Sequence, residues 1–255
     1  MLTKEYLEEL YAKYNKAELI SPDPLQFVAN YKNDGDREIA ALIAASFAYG
    51  NVKQIIKTVG KILENLGESP RKTLLAADKN SLNKIFYGFK YRFTTQEELV
   101  NFLCAISQII KNYGSLENLF YSFYVKDKDF VASQRAFAAQ IRSYGKVDTL
   151  IPNPAKNSAL KRLNLFLRWA ARSDEVDPGF WHKIPQSALI VPLDVHMHRV
   201  ARMLGLTKRN QADMETAVEI SQNFAEFCPQ DPIKYDFCLT RFGIRDDMSE
   251  DDIKR

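Results

Sequence analysis

An all-α fold is the expectation for this chain of 255 residues, and three features of the sequence carry it. Apolar residues recur at the 3.6-residue period, as in Val52, Ile55, Ile56, Val59, Ile62 and Leu63. One stretch, residues 39–48 (IAALIAASFA), is apolar almost all round and belongs in the middle of a helical domain. No β-type alternation persists anywhere, and no internal repeat is visible.

The elements follow in order. Thr3 is placed to cap a first helix with Leu7, Leu10, Tyr11 and Tyr14 on one face, and the Ser-Pro-Asp-Pro run at 21–24 ends that region. Asp36 is expected to open the apolar helix, which Tyr49-Gly50-Asn51 breaks before the period restarts at Val52. Residues 82–86, 99–110 and 116–123 read as further helices, with Gly67, Gly88, Gly114 and Gly145 between elements. Residues 146–157 hold two prolines and form a loop.

Ser158 is then expected to cap a helix over 159–172 (ALKRLNLFLRWAAR). Leu160, Leu163, Leu167 and Ala170 form its core stripe, and Leu165, Phe166 and Trp169 fill most of the rest. Lys161, Asn164, Arg168 and Arg172 draw a narrow polar line down it; such a line lies along a cleft, faces water, or is a cation row paired with acidic neighbours. Farther on, the apolar run 189–193 delivers Asp194 to the N-cap of another helix. There Val195, Arg199 and Arg202 share one side with His198 beside them, while Val200, Met203 and Leu204 supply the core stripe.

Hydrophobic residues at 46% and charged residues at 26% are ordinary values for a soluble protein. No apolar run approaches the roughly 20 residues that span a bilayer, and the charged, amphipathic N-terminus lacks the apolar core of a signal peptide. Cys104, Cys228 and Cys238 suit a reducing cytoplasm and are too few for a four-cysteine zinc or iron–sulfur site. His196 and His198 stand two apart on a helix and diverge by about 200°, so no metal site is expected. The net charge of +3 is unevenly spread. Residues 51–92 and 156–209 are basic blocks, and the tail reverses sign at 246–252. Basic blocks in a nearly neutral chain suit a protein that docks on a phosphate backbone, and equally a solvated lysine face.

Three segments carry a resemblance to a known family. The apolar helix ending Ala-Ala-Ser46-Phe-Ala-Tyr49-Gly50-Asn51, the segment Pro-Leu-Asp194-Val-His196-Met-His-Arg199-Val, and the stretch Asp231 to Gly243 resemble parts of the helix-hairpin-helix (HhH-GPD) superfamily of DNA base-excision glycosylases. Lys-Arg-Leu-Asn-x-Phe-Leu-Arg-Trp at 161–169 and Pro-Leu-Asp-x-His at 192–196 are also similar to an uncharacterised bacterial family with those motifs. The superfamily's Gly-rich hairpin is missing, since residues 172–184 hold only Gly179, and so are its iron–sulfur cysteines. Lys161 stands 33 positions before Asp194, an interval similar to the Schiff-base lysine of an archaeal branch that removes 8-oxoguanine.

The resemblance implies a two-lobed helical fold with an atypical hairpin. Residues 36–185 would form a helical barrel lobe, and 1–35 with 186–255 a second lobe, the cleft between them holding Lys161 and Asp194. It implies a monomeric, cytoplasmic DNA glycosylase, acting on double-stranded DNA that carries a damaged purine, with or without AP-lyase activity and without a cofactor. Asp194 would be the catalytic carboxylate, stabilising positive charge that develops on the sugar. Lys161, favoured over Lys183, would attack C1′ as the free amine. Tyr49, Asn164, Arg168, Trp169, Trp181 and His196 would line the pocket for the flipped base. Ser46, Gly50, Asn51, Lys53, Lys57, Arg92 and Arg199 would contact DNA. Two other readings stay open: a catalytically silent helical module that binds nucleic acid or a nucleotide, and an N-glycosidase acting on a non-DNA nucleoside.

Overall fold

The computed structural model describes residues 2–244 and Ile253. Its helices are α1 (Lys4–Tyr14), α2 (Asp34–Ser46), α3 (Val52–Leu66), α4 (Pro70–Ala76), α5 (Lys79–Ile85), α6 (Gln96–Tyr113), α7 (Leu116–Asp127), α8 (Phe130–Ser143), α9 (Lys161–Ala171), α10 (Val195–Met203), α11 (Met214–Ala225) and α12 (Asp236–Ile244). Between α5 and α6, the strands β1 (Lys90–Tyr91) and β2 (Thr94–Thr95) pair antiparallel. They are two residues each, too short to leave an alternation in the sequence. The all-α expectation holds at this level. The acidic run at 246–252 lies outside the described residues.

The chain divides into two compact units, residues 22–156 and residues 1–21 with 157–255. The breaks fall before Pro22 and after Lys156, where the expected lobes broke at 35/36 and 185/186. The difference has a physical origin in α9. Arg168 and the C-cap residue Arg172 are neutralised by aspartates at 177, 231 and 236, which ties this helix to the C-terminal segment.

In the unit 22–156, α2 is buried at Asp36 and from Glu38 to Ser46. Its cap is Asn33, whose side chain accepts the Asp36 N–H at 2.8 Å, so the helix begins earlier than the sequence suggested. Asp36 instead accepts the Arg71 N–H (2.8 Å) and the Ser69 hydroxyl (2.9 Å) at the start of α4, and its other oxygen accepts from the Asn33 side-chain amide. Glu38, two residues on, accepts the N–H groups of Leu116 (3.1 Å) and Glu117 (3.3 Å) at the start of α7. Two buried carboxylates on an apolar helix are therefore caps for its neighbours, satisfying donors that burial would otherwise leave orphaned.

In the other unit, Thr3 caps α1 as expected, accepting the Tyr6 N–H at 3.3 Å. The helix is bound to the C-terminal segment, with Lys234 (2.7 Å) and the Tyr235 hydroxyl (2.7 Å) on Glu8 and the rings of Tyr14 and Phe242 4.8 Å apart. Helix α9 starts at Lys161, not under a Ser158 cap; Leu160 takes the N-cap position in the left-handed region (φ +46°) without a side-chain cap. Its stripe Leu160, Leu163, Leu167 and Ala170 is buried as the period required, and so are Phe166 and Trp169. Asp194 caps α10, whose buried residues are Met197, Val200 and Ala201 rather than the expected Val200, Met203 and Leu204.

Candidate active site

The segment 189–193 is apolar and buried, and Val191 donates its N–H to the Ser221 hydroxyl at 2.9 Å, which fixes the approach to α10. Asp194 then serves two partners with two oxygens. Oδ1 accepts the N–H groups of His196 (3.0 Å) and Met197 (2.9 Å), while Oδ2 lies 3.4 Å from the Lys161 ammonium. The cap holds the carboxylate in one orientation, and the lysine reaches it from the first turn of α9. Both groups remain partly open to solvent, with side chains 35% (Lys161) and 19% (Asp194) exposed, so a substrate could reach them. Lys183 sits on an exposed turn, and it is Lys161 whose ammonium meets Asp194.

The rest of the polar line does something else. Asn164 is buried and donates to the Ala159 carbonyl at 2.9 Å, steadying the start of α9. Arg168 donates to Asp177 through Nε (3.1 Å) and Nη2 (3.0 Å), and its Nη1 contacts Asp236. Arg172 bonds Asp177 (2.7 Å), Asp231 (2.8 Å) and Asp174 (2.5 Å). Asn164 and Arg168 were expected to line a pocket; they are instead interior, as a cation row can be when carboxylates neutralise it. Trp169 and Trp181 are corrected in the same way. Trp169 is fully buried, and Trp181 packs edge-on against Phe166 with ring centroids 5.1 Å apart, so both belong to the core.

Asp174, Asp177, Asp231 and Asp236 were missed as a group, although their clustering at turns, opposite in sign to the α9 line, was a readable signal. Asp174 organises the loop after α9. Oδ1 accepts the N–H groups of Val176 (2.7 Å) and Asp177 (2.8 Å), and Oδ2 accepts from the Tyr11 hydroxyl (2.8 Å) and Asn15 (2.7 Å). Backbone bonds from Gly179 to the Trp169 carbonyl (3.1 Å) and from Trp181 to the Ala170 carbonyl (2.7 Å) pin the loop to α9. An acidic loop of this kind does not cradle phosphate, in keeping with the missing Gly-rich hairpin.

Burial works against ionised Asp174, but Arg172 and the hydrogen bonds just named outweigh it and hold its carboxyl at about 2. Asp236 is the reverse case. Burial pushes it up to about 6, against the pull of Arg168 and with the charge of Asp194 adding to the push. Its Oδ1 has no hydrogen-bond partner among the described residues. Asp231 is likewise raised by burial, despite Arg172.

His196 lies 3.5 Å from the Arg199 guanidinium through Nδ1, and His198 Nε2 is 3.0 Å from the Arg209 carbonyl. No group of metal-ligating side chains occurs among the described residues. Likewise, no described helix is long and apolar enough to cross a membrane.

In the unit 22–156, the expected DNA-contact residues separate into two sets. Ser46 is buried inside α2, which removes it from any surface. Gly50, Asn51, Lys53, Lys57 and Arg92 are exposed. Asn51 caps α3 by accepting the N–H groups of Lys53 (3.0 Å) and Gln54 (3.3 Å). The Tyr49 hydroxyl meets Thr94 at 2.6 Å, and the Tyr91 hydroxyl donates to the Tyr49 carbonyl at 2.6 Å, fastening this loop to the β-hairpin. Gly50 has φ +97°, and a Cβ there would lie 2.6 Å from Arg92 Nη1, so the hairpin's arginine packs directly over the glycine. Arg92 itself is held at φ +50° at the hairpin tip, with Phe93 exposed beside it.

No curated protein and no solved structure matches the chain. A family model described as a protein of unknown function (DUF2400) matches residues 23–245, most of the chain, and this protein therefore belongs to the DUF2400 family.

Proposed function

We propose that this protein is a DNA N-glycosylase of the helix-hairpin-helix type, excising a damaged purine and able to form a covalent imine through Lys161. The observation that carries the reading is the pairing of Lys161 with Asp194 at 3.4 Å, on a carboxylate whose other oxygen is fixed by a helix cap. An amine and an oriented carboxylate side by side are the two groups that base excision with strand-nicking capacity needs. The segment resemblances at Ser46–Asn51, Asp194–Arg199 and Asp231–Gly243 point the same way.

In this scheme the flipped nucleotide enters beside Asp194. The ionised carboxylate faces the sugar and stabilises positive charge as the C1′–N bond lengthens. Lys161 gives one proton to the departing base and adds to C1′; the resulting glycosylamine then opens as a proton passes from its nitrogen to O4′, leaving a protonated imine with the deoxyribose. The pocket walls come from residues other than Trp169 and Trp181, since those rings are in the core. Gly50, Asn51, Lys53, Lys57 and Arg92 contact the duplex, for which their exposure and charge are suited.

Borohydride trapping against a panel of lesion-bearing duplexes tests the proposal. The wild type should give a covalent adduct with at least one lesion, and Lys161→Gln should give none while still binding DNA. Asp194→Asn should stop base release, since the amide keeps the cap and loses the charge. Full base release by the Asp194→Asn variant would overturn the assignment and leave Asp194 a helix cap.

A further inference from the structure

The unit 22–156 carries a groove of which the excision scheme uses only Lys57, on one wall. It has a volume of about 390 Å³ and runs between α3 and the turn that joins α5 to β1. Lys57 and Lys61 line one wall, Lys90 the other, and Ile62 and Phe86 form an apolar floor. Tyr87 stands at the rim with 88% of its surface exposed, the most open large hydrophobic side chain among the described residues. No carboxylate lines this groove.

The charge pattern of α3 makes the groove more than a solvated face. Lys57 and Lys61 are four apart, a like-charge spacing that weakens a helix. The acids of the same region, Glu64 and Glu68, border a different depression with Phe27 and Tyr31. Lys57 and Lys61 of α3 thus line this groove while the helix's one acid, Glu64, borders the other depression, leaving positive potential where an aromatic ring is bare. Cations spaced along a groove beside an unstacked ring are the two elements that hold unpaired nucleotides: phosphates take the ammonium groups, and a base stacks on the ring. A duplex keeps its bases stacked and inside, and has no use for Tyr87.

We propose that this groove binds a short single-stranded segment of nucleic acid, with the base of one nucleotide on Tyr87 and the adjoining phosphates on Lys57, Lys61 and Lys90. The inference rests on the reading of the chain as a nucleic-acid protein, and not on the chemistry at Asp194.

The test is fluorescence anisotropy of the full chain with a labelled oligothymidylate, competed by unlabelled hairpin duplex and by polyglutamate. The wild type should bind the oligonucleotide, with affinity falling as salt rises. Tyr87→Ala should weaken binding about tenfold and Tyr87→Phe should restore it, as a stacking contact requires. The double charge reversal Lys57→Glu with Lys61→Glu should abolish binding and flatten the salt dependence. All four substitutions are at exposed positions, and circular dichroism melting confirms that each variant folds. Asp194→Asn should bind the oligonucleotide as the wild type does, whatever happens to base excision. Oligonucleotide binding untouched by Tyr87→Ala, or equal competition by polyglutamate, would reduce the groove to a general polyanion surface and overturn the proposal. So would a Tyr87→Ala variant that loses duplex binding by the same factor as oligonucleotide binding.

Discussion

Replacing Asp236 by asparagine probes the charge balance of the buried network next to the candidate site. Arg168 and Arg172 face four carboxylates, those of Asp174, Asp177, Asp231 and Asp236, so the buried cluster carries more negative than positive groups. Asp236 is the member least able to bear its charge. It is buried, one of its oxygens lacks a partner among the described residues, and its carboxyl is pushed up to about 6 from a usual value near 4. The groups facing it are Arg168 from α9, Asp194 from the start of α10 and Asp177 from the loop after α9.

The sign follows from linkage. A carboxyl whose folded value lies above its unfolded value binds its proton more tightly in the native state. Its contribution to stability is therefore complete in acid and is lost as the pH rises from about 4 through about 6. Between about pH 5 and about pH 8 this single group removes roughly 1–2 kcal/mol of stability. Asparagine cannot ionise, so the variant lacks that loss, whatever constant offset comes from the weakened bond to Arg168. Urea unfolding at a series of pH values measures the difference directly. Relative to wild type, Asp236→Asn should gain stability as the pH rises, by about the amount above. Parallel stability–pH curves for the two proteins would refute the reasoning, because they would mean that Asp236 ionises at its ordinary value. Asp194→Asn should move the wild-type transition down in pH, since the Asp194 charge is one of the causes that raise Asp236.

Two further outcomes follow from the same network. Arg172→Met leaves Asp174, Asp177 and Asp231 without their shared guanidinium and should cost on the order of 3–5 kcal/mol, read as a large fall in the urea midpoint; a change under 1 kcal/mol would mean the carboxylates take up protons and need no cation. Asp174, held at about 2, adds stability above about pH 4 that disappears as the pH falls toward 2, so Asp174→Asn should flatten the acid limb of the wild-type curve.

How much of this could be read from the sequence depends on how local the cause was. The Thr3 and Asp194 caps were legible, because a cap is decided within three residues. The α9 apolar stripe was legible for the same reason. Helix α8 left no clear pattern, since Ser133 and Gln134 sit on its buried face beside Phe130, Phe137 and Ile141 and interrupt the stripe. Asp36 looked like a cap for its own helix and is bound to Ser69 and Arg71 instead, 33 and 35 positions away. Leu160 gave no sign of its left-handed backbone, because nothing in a leucine favours it.

The polar line on α9 shows where sequence spacing stops being informative. Spacing of three and four places Lys161, Asn164, Arg168 and Arg172 on one side of a helix, but it does not say what faces that side. The answer changes along the helix axis. At the last two turns the facing groups are Asp177, Asp231 and Asp236, the last of them 68 positions from Arg168, and the side chains are sealed into a core network. At the first turn the facing group is Asp194, one of whose oxygens is already committed to the α10 cap, and solvent reaches the pair. Lys161 there is partly exposed and meets one carboxylate, whereas the buried arginines are locked by several carboxylates each and stay charged. One line of residues is thus divided by depth into a sealed part and a part that solvent reaches. Asp236, touching Arg168 and sensing Asp194, is the residue through which the first can influence the second.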